Sequence, residues 1–228
     1  IILSQSRNRL TIYDIIEHMK KERIDGLTDG IFAIVMTLLV FEIRIPQIYG
    51  AATDQTLLNA LISIYPLFLS YILSFSLLFT YWRAHHYIAS VLAKNVDMRL
   101  SNLSALFLIF VGLVPFSAHL LGAYNHTQVA IIIFGINIIL IGISLFMMRQ
   151  YVVKSSAIEN MPLTKTENEH ANMRILLPVF IAIIAIIVSF FHREIALVFF
   201  TLAILFNLSH RSTRYLFYVI DIFRKKSN

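Results

Sequence analysis

Apolar residues gather along this chain into six long runs, at about 27–45, 57–84, 102–122, 127–148, 173–191 and 195–210, with polar stretches between them. A helix of roughly 20 apolar residues crosses a hydrocarbon core of about 30 Å. None of the runs alternates with the period of two that a barrel strand requires. The pattern therefore predicts an all-α, polytopic membrane protein with six transmembrane helices. If the second helix continues to about residue 90 it is roughly 50 Å long at 1.5 Å per residue, so it should tilt or project from the bilayer. Pro66 is placed to kink it, and Pro115 with Ser117 to bend the third. The last two runs are near the short limit, and about 150–172 reads as the one sizeable polar linker. Upstream of the first run, Ile12, Ile15, Ile16 and Met19 recur at helical spacing among charged residues, which predicts a short amphipathic helix on the membrane surface. It has no apolar core of the signal-peptide kind. The expected layout is an amphipathic N-terminal segment (1–22), a six-helix transmembrane domain (23–210) and a basic tail (211–228).

Composition agrees with that reading. Of 228 residues, 58% are hydrophobic and 14% charged, and the mean hydropathy is +0.74; soluble domains carry about 25% charged residues. A water-soluble globular enzyme is excluded. With no cysteine, disulfides, thiolate metal sites and a cysteine nucleophile are excluded too. The net charge of +6 would suggest nucleic acid in a soluble protein, but here its placement gives it another meaning. Of the 19 Lys and Arg residues, 17 fall in the N-terminal segment, the second-to-third and fourth-to-fifth connections and the tail, and only Arg44 and Arg193 fall in the opposite loops. Basic residues near helix ends stay on the cytosolic side. Both termini are therefore expected in the cytosol, the chain is expected in the cell membrane, and no nucleic-acid partner is expected.

The first helix carries the most informative pattern. Projected at about 100° per residue, Leu27, Ile34, Leu38, Phe41 and Ile45 form one apolar stripe, flanked by Gly30 and Thr37. Asp25 and Asp29 project to the far side. A carboxylate a few residues inside a spanning helix is costly unless it finds a polar partner. The second helix returns to the same level with Trp82, Arg83, His85 and His86, and the third starts there with Asn102 and Ser104. A network of Thr28 and Asp29 with His85 or His86 and Asn102 would satisfy these groups, and tying helices together is the first role such a cluster would have. Thr37 has two readings: a hydroxyl presented beside the stripe, or a bond to its own Ala33 carbonyl. Glu42 is expected to pair with an outer-loop partner in preference to standing as a free external charge. Arg23, on the stripe side of the cytosolic end, would either tune ion entrance or reach headgroups.

The stretch Arg23-x-x-x-Leu27-Thr28-Asp29 resembles the Arg-x-x-x-Phe-Ser-Asp signature in the first helix of the transmembrane-protein-175 type potassium channels. Trp82-Arg-Ala-His-His86, and Asn102 through Phe110-Val-Gly-Leu-Val-Pro115-Phe-Ser117, add matches in the same order and spacing, so the resemblance extends over essentially the whole chain. Leu27 stands where the signature has Phe, and Thr28 keeps the hydroxyl of Ser. The resemblance implies a potassium-selective channel of the prokaryotic, single-repeat kind, assembled as a homotetramer with the first helix of each subunit lining the pore. It implies no Thr-Val-Gly-Tyr-Gly filter, and the chain has none. The narrowest part would be a hydrophobic constriction at Ile34, Leu38 and Phe41, the stripe that the projection isolates. The permeant K⁺ is the one ion expected, with no cofactor and no tightly bound metal.

Other constellations carry less. His85 and His86 are adjacent, so they cannot share a metal as an i, i+4 pair does. Asn137, between Gly135 and Gly142, reads as an interhelical hydrogen bond beside close packing. No phosphate loop or nucleophile–base pair supports an enzyme. The rival readings are a proton-coupled secondary transporter, for which Asp29, His85 and His86 would carry protons, and a proton-permeable channel. A transporter would show paired Gly/Pro-interrupted segments in its two halves, and none is seen.

Overall fold

The structure is a computed structural model that describes residues 12–208, apart from 49, 51, 160 and 161, and their side chains over 21–202. The basic tail expected at 211–228 and the first eleven residues lie outside the described residues. Within them the chain is helical: α1 (Ile12–Phe41), α2 (Asp54–Ser63), α3 (Tyr65–His86), a π-helical turn (Tyr87–Leu92), α4 (Met98–Gly112), α5 (Val114–Ala123), α6 (Gln128–Lys154), α7 (Lys165–Ser189) and α8 (Arg193–Leu208). Among the described residues, five stretches are long and apolar enough to cross a membrane: Lys21–Phe41, Tyr65–Leu92, Met98–Ala123, Gln128–Lys154 and Lys165–Ser189. The described part of α8 has 16 residues, about 24 Å of helix.

Boundaries depart from the apolar runs in four places. The amphipathic N-terminal segment does not form a separate surface helix over its described part: α1 is one helix of 30 residues from Ile12, because Glu, Met, Lys, Arg and Leu make up most of the junction and no Pro interrupts it. The second apolar run is broken at Ile64. Pro66 lies in the first turn of α3, where a missing N–H leaves nothing unsatisfied, and the amides of Leu67 and Phe68 donate to Ile64 O. The polar linker near 150–172 is mostly helix. α6 continues to Lys154, and α7 starts at Lys165, where Thr164 and Glu167 form a reciprocal capping box. A strong cap set α7 going about two turns before its sequence turned apolar. Pro115 breaks the third run in the way Pro66 breaks the second, with Ser117 N donating to Leu113 O.

The core is built around α6. Its buried face runs from Ala130 through Phe134, Ile138, Ile141 and Leu145 to Val152, against α4, α5 and α7. Gly142 permits the close approach of α7: a Cβ there would lie 2.2 Å from Val179 Cγ2. Small residues let spanning helices approach where the lipid provides no hydrophobic drive. Asn137 Nδ2 donates to Ser117 Oγ at 2.9 Å, and Ser70 Oγ donates to Ala118 O at 2.5 Å. These bonds join α6 to α5 and α3 to α5, the interhelical role read for Asn137.

Candidate ion-conduction site

α1 has two unlike faces. Thr28, Phe32, Val35 and Leu39 are buried at i, i+4, i+7 and i+11, and Phe32 packs tilted on Phe107 of α4 at 5.9 Å between ring centroids. The other face is bare: Ile34 is 59% exposed, Leu38 43% and Phe41 67%, with Leu27 and Ile45 continuing the line at each end. Among the described residues none buries this stripe. Large aliphatic and aromatic groups so aligned meet either lipid or further protein.

Thr37 flanks the stripe and is exposed. Its hydroxyl donates to the α1 carbonyls of Ala33 (2.9 Å) and Ile34 (2.8 Å). Thr28 is buried and likewise donates to Ile24 O at 2.9 Å, so its hydroxyl serves its own helix and reaches no neighbour. Arg23 is exposed at the opposite end of the stripe from Phe41.

The polar groups behind the stripe fall into two sets in place of the single expected network, one joining Asp29, Trp82, His86, Ser90 and Asp25 and the other His85 with Ser104. Trp82 Nε1 donates to Asp29 Oδ1 at 2.8 Å. His85 turns away from α1: it is buried, its Nε2 lies 2.9 Å from Ser104 Oγ, and its ring stacks on Phe107 at 5.0 Å. Asn102, two residues before Ser104 on α4, is exposed, and no hydrogen bond joins it to the others among the described residues. Half a turn of α4 thus decides which of the two polar residues faces inward. His86 stacks on Trp82 at 5.9 Å, and its Nδ1 lies 3.3 Å from Ser90 Oγ. Ser90 donates its one proton to Asp25 Oδ2 at 3.0 Å; His86 Nδ1 must therefore be the donor to Ser90.

Sequence reasoning passed over Lys21 and Ser90. The Lys21 ammonium donates to the carbonyls of Ser90 (3.2 Å) and Ala93 (2.6 Å) at the end of the π turn. The available signal was the spacing of Lys21, Asp25 and Asp29, four residues apart on one face. At the far end, Glu42 Oε2 lies 2.9 Å from His119 Nδ1 of α5, both half-buried, so its partner is on a helix and not in an outer loop.

An α-helical membrane protein of several spans, whose first span presents an uncovered apolar stripe and is tied by polar contacts along its back, is the class that this fold and site define. A family profile described as the endosomal/lysosomal potassium channel TMEM175 matches residues 23–115, the segment that holds the stripe and its contacts. A protein of Chryseobacterium sp. (strain P1-3) named as a potassium channel is 28% identical over 188 residues, covering 82% of this chain and 92% of that protein. The crystal structure of a lysosomal potassium-selective channel TMEM175 homolog from Chamaesiphon minutus superposes with a TM-score of 0.71 at 27% identity, over 85% of this chain and 98% of that one. The human endosomal/lysosomal proton channel TMEM175 is 32% identical over 121 residues, which is 51% of this chain but 23% of that protein. Residues 23–115 of the chain are thus similar to the TMEM175 family, and its fold is similar to that of the Chamaesiphon minutus homolog.

Proposed function

We propose that this chain forms a potassium-selective channel in which the first helix of each of four subunits lines a central pore. The observation that carries the reading is the uncovered stripe Ile34, Leu38 and Phe41, lying inside the segment that matches the family. One stripe encloses nothing; several copies around an axis enclose a path. A neck of such side chains controls flow by dewetting, since a bare ion in a dry constriction meets a large desolvation barrier. Partial dehydration favours K⁺ over Na⁺, which holds its water more firmly. With its proton committed to α1 carbonyls, Thr37 offers a passing cation only the lone pairs of its oxygen. Arg23 stands at the cytosolic entrance. α8 makes the sixth crossing, and with 17 of 19 basic residues on one side both termini lie in the cytosol of the cell membrane.

Purified protein in liposomes is expected to pass K⁺ faster than Na⁺, with unitary steps in planar bilayers. Equal fluxes would remove the selectivity, and no flux of any ion would remove the channel. One observation favours a second reading, proton conduction: the human relative is named as a proton channel. Acidification of a dye-loaded lumen that outpaces K⁺ entrance under matched gradients would select it.

A further inference from the structure

We infer that Lys21 and Asp25, acting with the π turn at Tyr87–Leu92, are positioning residues that set the rotation of the pore helix; this rests on the proposed channel reading. The π turn is a widened turn, marked by Ala93 N donating five residues back to Ile88 O at 3.0 Å. A helix end leaves its last carbonyls without intrahelical partners. Here the carbonyls of Ser90 and Ala93 face α1 and are taken by the Lys21 ammonium, while the Ser90 hydroxyl is taken by Asp25. One turn further along, Asp29 holds Trp82. Lys21, Asp25 and Asp29 thus form three rungs, each about 6 Å above the last, that grip one continuous element, α3 with its π turn.

The direction of that grip matters. Successive i+4 positions drift by about 40°, so the rungs occupy a narrow arc, and Asp25 projects roughly opposite Ile34. A ladder diametrically behind the stripe fixes which side chains the helix presents in front. It also sits on rigid backbone, because an ammonium bonded to two carbonyls cannot follow a rotating helix without breaking both bonds. The Ser90 hydroxyl is a single group with one proton to give, so rotation that separates Asp25 from Ser90 leaves that hydroxyl without its acceptor. The lower end of α1 therefore has one preferred rotation, and loss of a rung permits others.

The test uses the 228-residue chain, which has no cysteine of its own, carrying Leu38→Cys as a reporter for a charged, water-soluble thiol reagent. Lys21→Met and Asp25→Leu each remove a rung; Lys21→Arg and Asp25→Asn retain one. The rung-removing changes are expected to shift the modification rate at position 38 and the open probability by about fivefold, as the loss of one ordinary hydrogen bond would shift a two-orientation equilibrium, with unitary K⁺ current unchanged. The conservative changes are expected to restore both. Ser90→Ala removes the Asp25 bond from the other side, so it carries the test if Asp25→Leu does not assemble. Steps in the parent protein with unaltered reporter rates and open probability in every variant would overturn the ladder and leave the channel standing. Absence of K⁺ steps in the parent would overturn the channel reading, and with it the ladder's role.

Discussion

α1 and α6 are both long apolar helices, yet the molecule uses them in opposite ways. In the most apolar window of α6, 56% of residues are buried within the subunit; in that of α1 the share is 22%. Hydropathy alone would pass both as spans. The difference lies in side-chain size and placement. α6 carries Gly135, Gly142 and Ser144 where α7 and its other neighbours come close, so more than half of that window is packed, while the line of Ile136, Ile143 and Met147 stays exposed. α1 has bulky residues on both faces, and only the face of Phe32, Val35 and Leu39 meets its own subunit. Burial, more than hydropathy, separates a helix that holds the fold from one that has work to do outside it.

The sharpest way to break this contrast is to put the same polar group on each helix. Ile141→Asn, at a fully buried α6 position, would place an amide without partners in the core, at a cost of about 2–7 kcal/mol. Folded protein is expected to disappear from size-exclusion profiles in detergent. Leu38→Asn on the bare face of α1 is expected to leave that profile intact and raise K⁺ conductance about tenfold, equivalent to some 1.4 kcal/mol off the barrier, with weaker selection against Na⁺. An unfolded Leu38→Asn or a folded, silent one would erase the distinction. The smallest effect is expected from Gly142→Ala. Its methyl would meet Val179 and cost about 1–3 kcal/mol through overpacking, read as a lower melting temperature with unitary current unchanged.

Much of this was legible in the amino-acid sequence. The apolar runs located the spans, since each must satisfy its own backbone in lipid, and the i, i+3, i+4 rhythm separated the two faces of α1. Asp29 was placed at the level of Trp82 by counting residues along two antiparallel helices. Three features were not legible. The early start of α7 depends on a cap, Thr164 with Glu167, that outweighs the polarity of the following turns. The choice of Ser104 over Asn102 as the partner of His85 depends on the rotation of α4, which the sequence does not state. The contacts of Lys21 with Ser90 and Ala93 depend on a π turn, whose widened backbone has no residue signature of its own.

The thin attachment of α1 to its own subunit also bears on inheritance. In the proposed assembly the neck belongs to four chains in common, and no chain completes it alone. A cell making equal amounts of an intact copy and one altered at Leu38 would build mostly mixed complexes, so the altered copy would spoil more channels than its share of the protein. Defects in the bare stripe should therefore behave as dominant, whereas defects in the packed face of α6, which remove the chain before it can assemble, should behave as recessive.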